Sequence, residues 1–509
     1  MRFRGRGQVM ALGALTLLVL ALMLMLSFNL SQTLHEKIRV QQHSDAMAYS
    51  MATIEARAMN YFAFTNRTMA ASYVTMTSLH AYMASMSVTA EMMATAQENF
   101  YQIAGMEFVL CLPCPLGVGC EHCADGGQAL EIASKFAKES RKYGDSVKDL
   151  EKEFNEAVEA FDLQVDSLHE SQREVMDFTV SVLEGGRLEK VERVNAPQAR
   201  GVSSAQGVGE LNVQQFACAL DNTSLPCSGR PSLDRAARSK VMAEVVNATR
   251  PGWPAKRTGT TFPVHLNPSF LKDLMTGIQG EGITIAWKHQ GTAKVVSNAS
   301  RGELESTGQG SEGITIGACE HGSLMSQWRH GLGNNDYGAE VYSNASGGRH
   351  LPANAHEGKH DRFETIQTND TCTTNGNCFM HFRADKSAAN DFGQPSVFAY
   401  ITQDARLNKQ GKKGPWELNQ SGSVTIEHGE QGEGTLTLAP KLQARGLSKA
   451  KVYYHRLGDW REHPNLFNPY WRAKLHPFKQ GEAEQVLMKA GDVEGAQLSA
   501  VAPVEGTEP

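Results

Sequence analysis

An uncharged run from Val9 to Phe28, preceded by Arg2, Arg4 and Arg6, constrains this chain more than any other feature. At helical rise about 20 residues span roughly 30 Å, the thickness of a bilayer's hydrocarbon core. No cation follows until Lys37 and Arg39, so the positive-inside bias keeps the N-terminus cytoplasmic and sends the rest of the chain across. A cleaved secretory signal shares the basic start. Its apolar core is usually about 7 to 15 residues long, however, and Ser27 to Thr33 offers no A-x-A-like site. The sequence therefore reads as a cytoplasmic segment 1–8 and an uncleaved single-pass anchor 9–29.

From Leu30 to about Gln102 there is no proline or glycine, and a seven-residue stripe runs through Phe62, Met69, Met76, Met83 and Ala90. Thr65, Ser72, Leu79, Met86 and Met93 stand three residues further on, which is an a/d pattern. A second stripe carries Val147, Phe154, Phe161, Leu168, Val175 and Val182, with charges such as Lys148 to Glu153 between its members as a solvated face. Two heptad helices separated by a connection rich in Pro, Gly and Cys predict an antiparallel helical hairpin over 30–189 with its tip at 106–126. The methionines read as core filler rather than as ligands.

Beyond Gly185 and Gly186 the texture changes. Residues 190–230 read as irregular, and 233–246 as a short amphipathic helix. Nine apolar runs then alternate with Gly and Asn turns: 282–287, 293–296, 313–317, 339–342, 378–383, 396–401, 423–427, 434–438 and 450–454. Few helix signals separate them, so antiparallel pairing is expected. The fold class is thus α+β: a transmembrane helix continuing into a coiled-coil hairpin, then a β-rich exported domain over 190–478. Residues 479–509, small and acidic, read as a loose tail.

The chain has nine cysteines. Cys111, Cys114, Cys120 and Cys123 form a C-x-x-C-x5-C-x-x-C group that admits a tetrathiolate zinc site or two disulfides. An exported, oxidising location favours disulfides, and the nested pairing Cys111 to Cys123 with Cys114 to Cys120 would staple a helical tip best. Cys218 with Cys227, and Cys372 with Cys378, close short loops; Cys319 is left over as a buried thiol.

Two segments carry a family likeness. Residues 51–76, MATIEARAMNYFAFTNRTMAASYVTM, resemble the stretch that follows the anchor in bacterial TadE/TadG-like proteins of tight-adherence (Flp) pilus assembly. Residues 453–475, YYHRLGDWREHPNLFNPYWRAKL, resemble the C-terminal pattern of the same group. Phe64 and Thr68 depart from it, standing where the family has Tyr and Ala. The resemblance implies a single-pass bacterial inner-membrane protein, its bulk periplasmic or extracellular, that assists pilus assembly without enzymatic activity. Its partners would be the inner membrane and other pilus-assembly proteins, with homo-oligomerisation possible. Asn66 and Arg67, and the aromatic group Trp460, Phe467, Tyr470 and Trp471, are the candidate contact residues. Glu55 and Arg57 read as water-facing or as contacts to a partner helix.

A net charge of −6 gives no electrostatic case for nucleic acid. There is no G-x-S-x-G, no P-loop and no dinucleotide fingerprint. His350, His356, His360 and Asp361 lack metalloprotease spacing, so no metal, cofactor or catalytic residue is expected. Sequons at Asn222, Asn247, Asn298 and Asn344 would matter only in a eukaryotic secretory chain. Two alternatives stay open: an exported metal-dependent hydrolase on a stalk, and a minor pilin-like filament subunit. Gly7 precedes the apolar run as a prepilin cleavage glycine would, although Leu12 occupies the place of the usual glutamate.

Overall fold

The computed structural model describes residues 5–184, 202–204, 206–221, 227, 235–259, 273, 276, 278, 282–297, 314–329, 336–344, 379–385, 388–404, 423–427, 433–437, 443–455, 462–479 and 481–501. The chain is a mixture of helix and sheet. Helix α1 runs unbroken from Gly5 to Cys111 and α2 from Cys120 to Leu183. Leu112 precedes Pro113, which disfavours helical geometry there and ends α1. A 3-10 turn at Cys114–Leu116 follows, closed by Gly117 in the left-handed region at φ 82°. The connection is therefore shorter than the expected 106–126. Gly126 and Gly127 lie inside α2, a local cost of about 1 kcal/mol each that the adjoining cross-links and packing must offset.

Those cross-links are the nested disulfides Cys111–Cys123 and Cys114–Cys120; a third joins Cys218 to Cys227. Cys372 and Cys378 lie outside the described residues, as does Trp460. The heptad positions Phe62, Met69, Met76 and Met83 are buried, as are Val147 and Val182.

The chain divides into two units, each combining part of the helices with its own sheet. This differs from the expected stalk followed by one β-rich domain. The first unit holds residues 1–64, 172–232 and 381–509. Its sheet has the order β1 (Val202–Ser204), β8 (Ser396–Asp404), β11 (Gln443–Tyr454), β12 (Trp471–Leu475), all antiparallel. Small pairs join β2 (Leu220–Asp221) to β7 (His381–Phe382) and β9 (Ser423–Glu427) to β10 (Glu433–Thr437). Residues 40–62 of α1 pack on the sheet. Ser44 Oγ donates to Ala399 O at 3.0 Å, and Gln41 Nε2 donates to Leu447 O at 2.9 Å. Gly446 permits this approach, since a Cβ there would stand 2.7 Å from Val40 O.

Two corrections fall in this unit. Residues 206–219, expected to be irregular, form helix α3 (Gln206–Ala219). The expected loose tail carries α6 (Glu482–Lys489) and α7 (Val493–Val501). Val486, Leu487 and Ala496 form a core with Val208, Phe398 and Tyr400. Ala483, Val486 and Leu487 recur at i, i+3 and i+4, which gives α6 a buried face despite its acidic composition.

The second unit holds residues 65–171 and 233–380. Contacts between α1 and α2 pair residues that recede together from the disulfides. The ring centroids of Phe100 and Phe136 stand 5.8 Å apart, Ser140 Oγ donates to Ala90 O at 3.3 Å, and His80 meets Phe154 edge-on at 5.0 Å. Ser72 Oγ lies 3.4 Å from Gln164 Oε1. The unit also contains α4 (Arg235–Thr249), α5 (Gly252–Ala255) and an antiparallel sheet β3 (Arg257–Gly259), β4 (Ile283–Ser297), β5 (Ile314–Arg329), β6 (Asp336–Asn344). The runs 282–287 and 293–296 are one strand, not two. Ile283, Ile285 and Trp287 are buried while Thr284 and Lys288 are exposed, the period-two alternation of a one-sided sheet.

Candidate functional site

Residues 51–64 of the first segment that carries the family likeness meet the second segment in the first unit, while residues 65–76 belong to the second unit. Asn60, on α1, donates from Nδ2 to Trp471 O at 2.9 Å, and its Oδ1 accepts the Trp471 N–H at 2.9 Å. Among the described residues β12 pairs with β11 on one side only, and Asn60 completes the hydrogen bonding of Trp471 on the other edge.

The turn that delivers Trp471 is organised by Glu462 and Asn465. One carboxylate oxygen of Glu462 accepts from Tyr454 Oη at 2.6 Å, Asn465 Nδ2 at 2.7 Å and Asn468 Nδ2 at 2.5 Å. Asn465 Oδ1 accepts the N–H groups of Phe467 and Asn468, an Asx turn, and Asn465 O accepts Trp471 Nε1 at 2.9 Å. Burial, then the bond to Glu462, pushes the Tyr454 hydroxyl above its ordinary pKa. Trp471 packs at 5.3 Å from the Tyr454 ring and 4.8 Å from Phe382. Composition pointed to the aromatic residues, but the polar groups Asn60, Glu462, Asn465 and Asn468 set their geometry.

Trp471 is 2% exposed, so its side chain is spent inside its own unit; Phe467 and Tyr470 are half-buried. Asn66 is fully buried and holds Met380 as Asn60 holds Trp471, with Nδ2 to O at 2.8 Å and N–H to Oδ1 at 3.2 Å. Of the pair Asn66 and Arg67, Arg67 is the exposed side chain. Arg57 is exposed too, whereas Glu55 is fully buried, which corrects its reading as water-facing.

The same clasp recurs on α3, where Asn212 holds Phe398, and on α4, where Asn247 holds Val295. The sequon asparagine Asn247 thus uses its amide within the fold. A polar cavity of about 360 Å³ is lined by Gln214, Gln394, Lys449, Lys479, Asp391 and Glu482. Its cations are paired: Lys449 Nζ to Glu482 at 2.6 Å, Lys479 Nζ to Asp391 at 2.9 Å. Lys451 also bonds Asp391, which holds a left-handed backbone at φ 50°. The Lys449–Glu482 pair secures α6 to β11, and Asp391 joins Lys451 of β11 to Lys479. His350, His356, His360 and Asp361 lie outside the described residues.

The surface that no part of the described fold covers is the apolar start of α1. Val9–Phe28 is long and apolar enough to cross a membrane and none of it is buried. Leu12, Leu17, Leu24 and Leu26 are each more than two-thirds exposed. No protein-family model, no curated protein and no solved structure matches the chain.

Proposed function

We propose that this protein is a non-enzymatic, single-pass membrane component of tight-adherence (Flp) pilus assembly or a related secretion apparatus. It works through protein contacts of an exported region. The observation that carries the reading is the clasp between Asn60 and Trp471, because it joins the two segments whose sequences resemble TadE/TadG-like proteins. Segments this far apart that complete each other's hydrogen bonding form one structural module, so the likeness covers a working unit. The exposed apolar run Val9–Phe28 supplies the anchor, with the arginines before it on the cytoplasmic side.

In this reading α1 and α2 form an antiparallel coiled-coil hairpin closed by disulfides, which suits an oxidising compartment such as the periplasm. Paired contacts at Ser72 with Gln164, His80 with Phe154 and Phe100 with Phe136 support the arrangement. The hairpin supplies the surface on which partners assemble.

The test is affinity purification of the tagged chain from detergent-solubilised membranes. Co-purification of other tight-adherence pilus-assembly proteins, and loss of filaments on deletion of the gene, are expected. Release of the chain by alkaline carbonate, or filaments unchanged after deletion, would overturn the reading.

A further inference from the structure

Beside the disulfides, Glu107 of α1 and His122 of α2 face each other, Oε2 to Nδ1 at 2.7 Å. The glutamate side chain is fully buried and the histidine 14% exposed. Asp125 stands three residues after His122 on α2, and ligand-capable atoms of all three residues lie within 4.8 Å of one another. A hydrogen-bonded Glu and His pair needs no second carboxylate. Here a buried carboxylate of α1 and an imidazole and second carboxylate of α2 converge, the mixed nitrogen and oxygen donor set that a divalent cation takes.

We propose that Glu107, His122 and Asp125 bind a divalent metal ion of the zinc class, clamping α1 to α2. One imidazole nitrogen and two carboxylate oxygens suit zinc, and three protein ligands leave a coordination position for water or a partner's side chain. The scaffold is preorganised. Cys111 follows Glu107 by one turn, Cys123 adjoins His122, and these cysteines are bridged. The His122 ring lies against the backbone of Gly119, where a Cβ would sit 3.4 Å from His122 Cδ2. Phe108 packs against Gly126, where a Cβ would meet its ring at 2.9 Å, so an apolar side chain flanks Asp125. The site is independent of the pilus reading and uses none of the four nearby cysteines, which are oxidised.

The experiment uses the full chain in detergent, with free thiols blocked by iodoacetamide, stripped with EDTA, and then titrated with zinc chloride by calorimetry. Elemental analysis after desalting is expected to find about one zinc per chain, and zinc is expected to raise the Tm. His122→Ala and Asp125→Asn should each lose the bound zinc and the Tm increase. If His122→Ala loses helix content by circular dichroism, the isosteric Asp125→Asn decides. Absence of retained zinc in the unaltered chain, or wild-type stoichiometry in folded Asp125→Asn, overturns the proposal.

Discussion

Arg257 and Glu320 form a fully buried ion pair, Nε to Oε2 at 2.5 Å, with each side chain 1% exposed. The strand register explains the meeting: Gly291 of β4 lies opposite Arg257 of β3 and opposite Glu320 of β5. A Cβ at residue 291 would collide with the Glu320 carboxylate, so glycine there leaves the room in which the pair forms. His289 Nδ1 lies 3.0 Å from the other carboxylate oxygen, and the guanidinium covers the Trp253 ring at 5.5 Å. Removing one partner strands a buried charge. Arg257→Met alone should cost about 3 to 5 kcal/mol in chemical unfolding, whereas Arg257→Met with Glu320→Leu should recover most of it. Equal losses in the single and double variants would show that the pair's charge is not what the unit depends on.

Glu55 responds to pH in a definite direction. It is fully buried on α1 among Met51, Ala52, Ala56 and Met59, and burial raises its pKa well above 4.5. The folded protein therefore keeps the Glu55 proton at pH values where the unfolded chain has released it. Stability is fully present below the unfolded pKa and falls as pH rises towards the folded one. Glu55→Gln should match the unaltered protein near pH 4 and exceed it in stability at neutral pH. A difference independent of pH between 4 and 7 would exclude a titrating carboxyl.

His80 works in the opposite sense in the other unit. Its Nδ1 is 2.7 Å from Met76 O and its ring meets Phe154; burial lowers its pKa to about 4. The unfolded chain takes up this proton near pH 6.5 and the folded one only near 4. Stability is therefore complete above pH 6.5 and is lost as pH falls through that window, by roughly 3 kcal/mol at full extent. His80→Gln should flatten this acid limb. An acid limb of unchanged slope in the variant would assign it to other groups.

The helices were legible because a seven-residue stripe uninterrupted by proline admits little else. Phe62, Met69 and Met76 fall on the buried face as that period requires. The apolar helix Val9–Phe28, long enough to cross a membrane, was legible for the same reason: twenty consecutive uncharged residues carry no proline. What composition concealed was short and polar. Helix α3 opens on Gly207 and Gly209 and is rich in glutamine; α6 and α7 are acidic and small. Each is held by tertiary packing against β8 rather than by its own propensity. The division into two interleaved units was not legible, since it rests on pairings such as Asn60 with Trp471, across nearly the whole chain. The one sequence trace of those pairings is asparagine, a poor helix former, recurring on apolar helix faces at Asn60, Asn66, Asn212 and Asn247.

Asn60 gives the sharpest test of the module formed by the two ends. Its amide both donates to and accepts from Trp471, so Asn60→Ala leaves a donor and an acceptor on β12 without their partner. The cost should be about 1 to 3 kcal/mol. Asn60→Asp keeps the acceptor for the Trp471 N–H but presents a carboxylate to the Trp471 carbonyl, and should be at least as damaging as alanine. Hydrogen exchange can locate the effect: the Trp471 amide should lose protection in both variants. Amides of β4 and β5, which belong to the other unit, should keep theirs. If the pilus reading holds, Asn60→Ala should also reduce recovery of the assembly partners while the chain remains in the membrane fraction. Full protection of Trp471 in Asn60→Ala would show that β12 is held by β11 and its aromatic contacts alone.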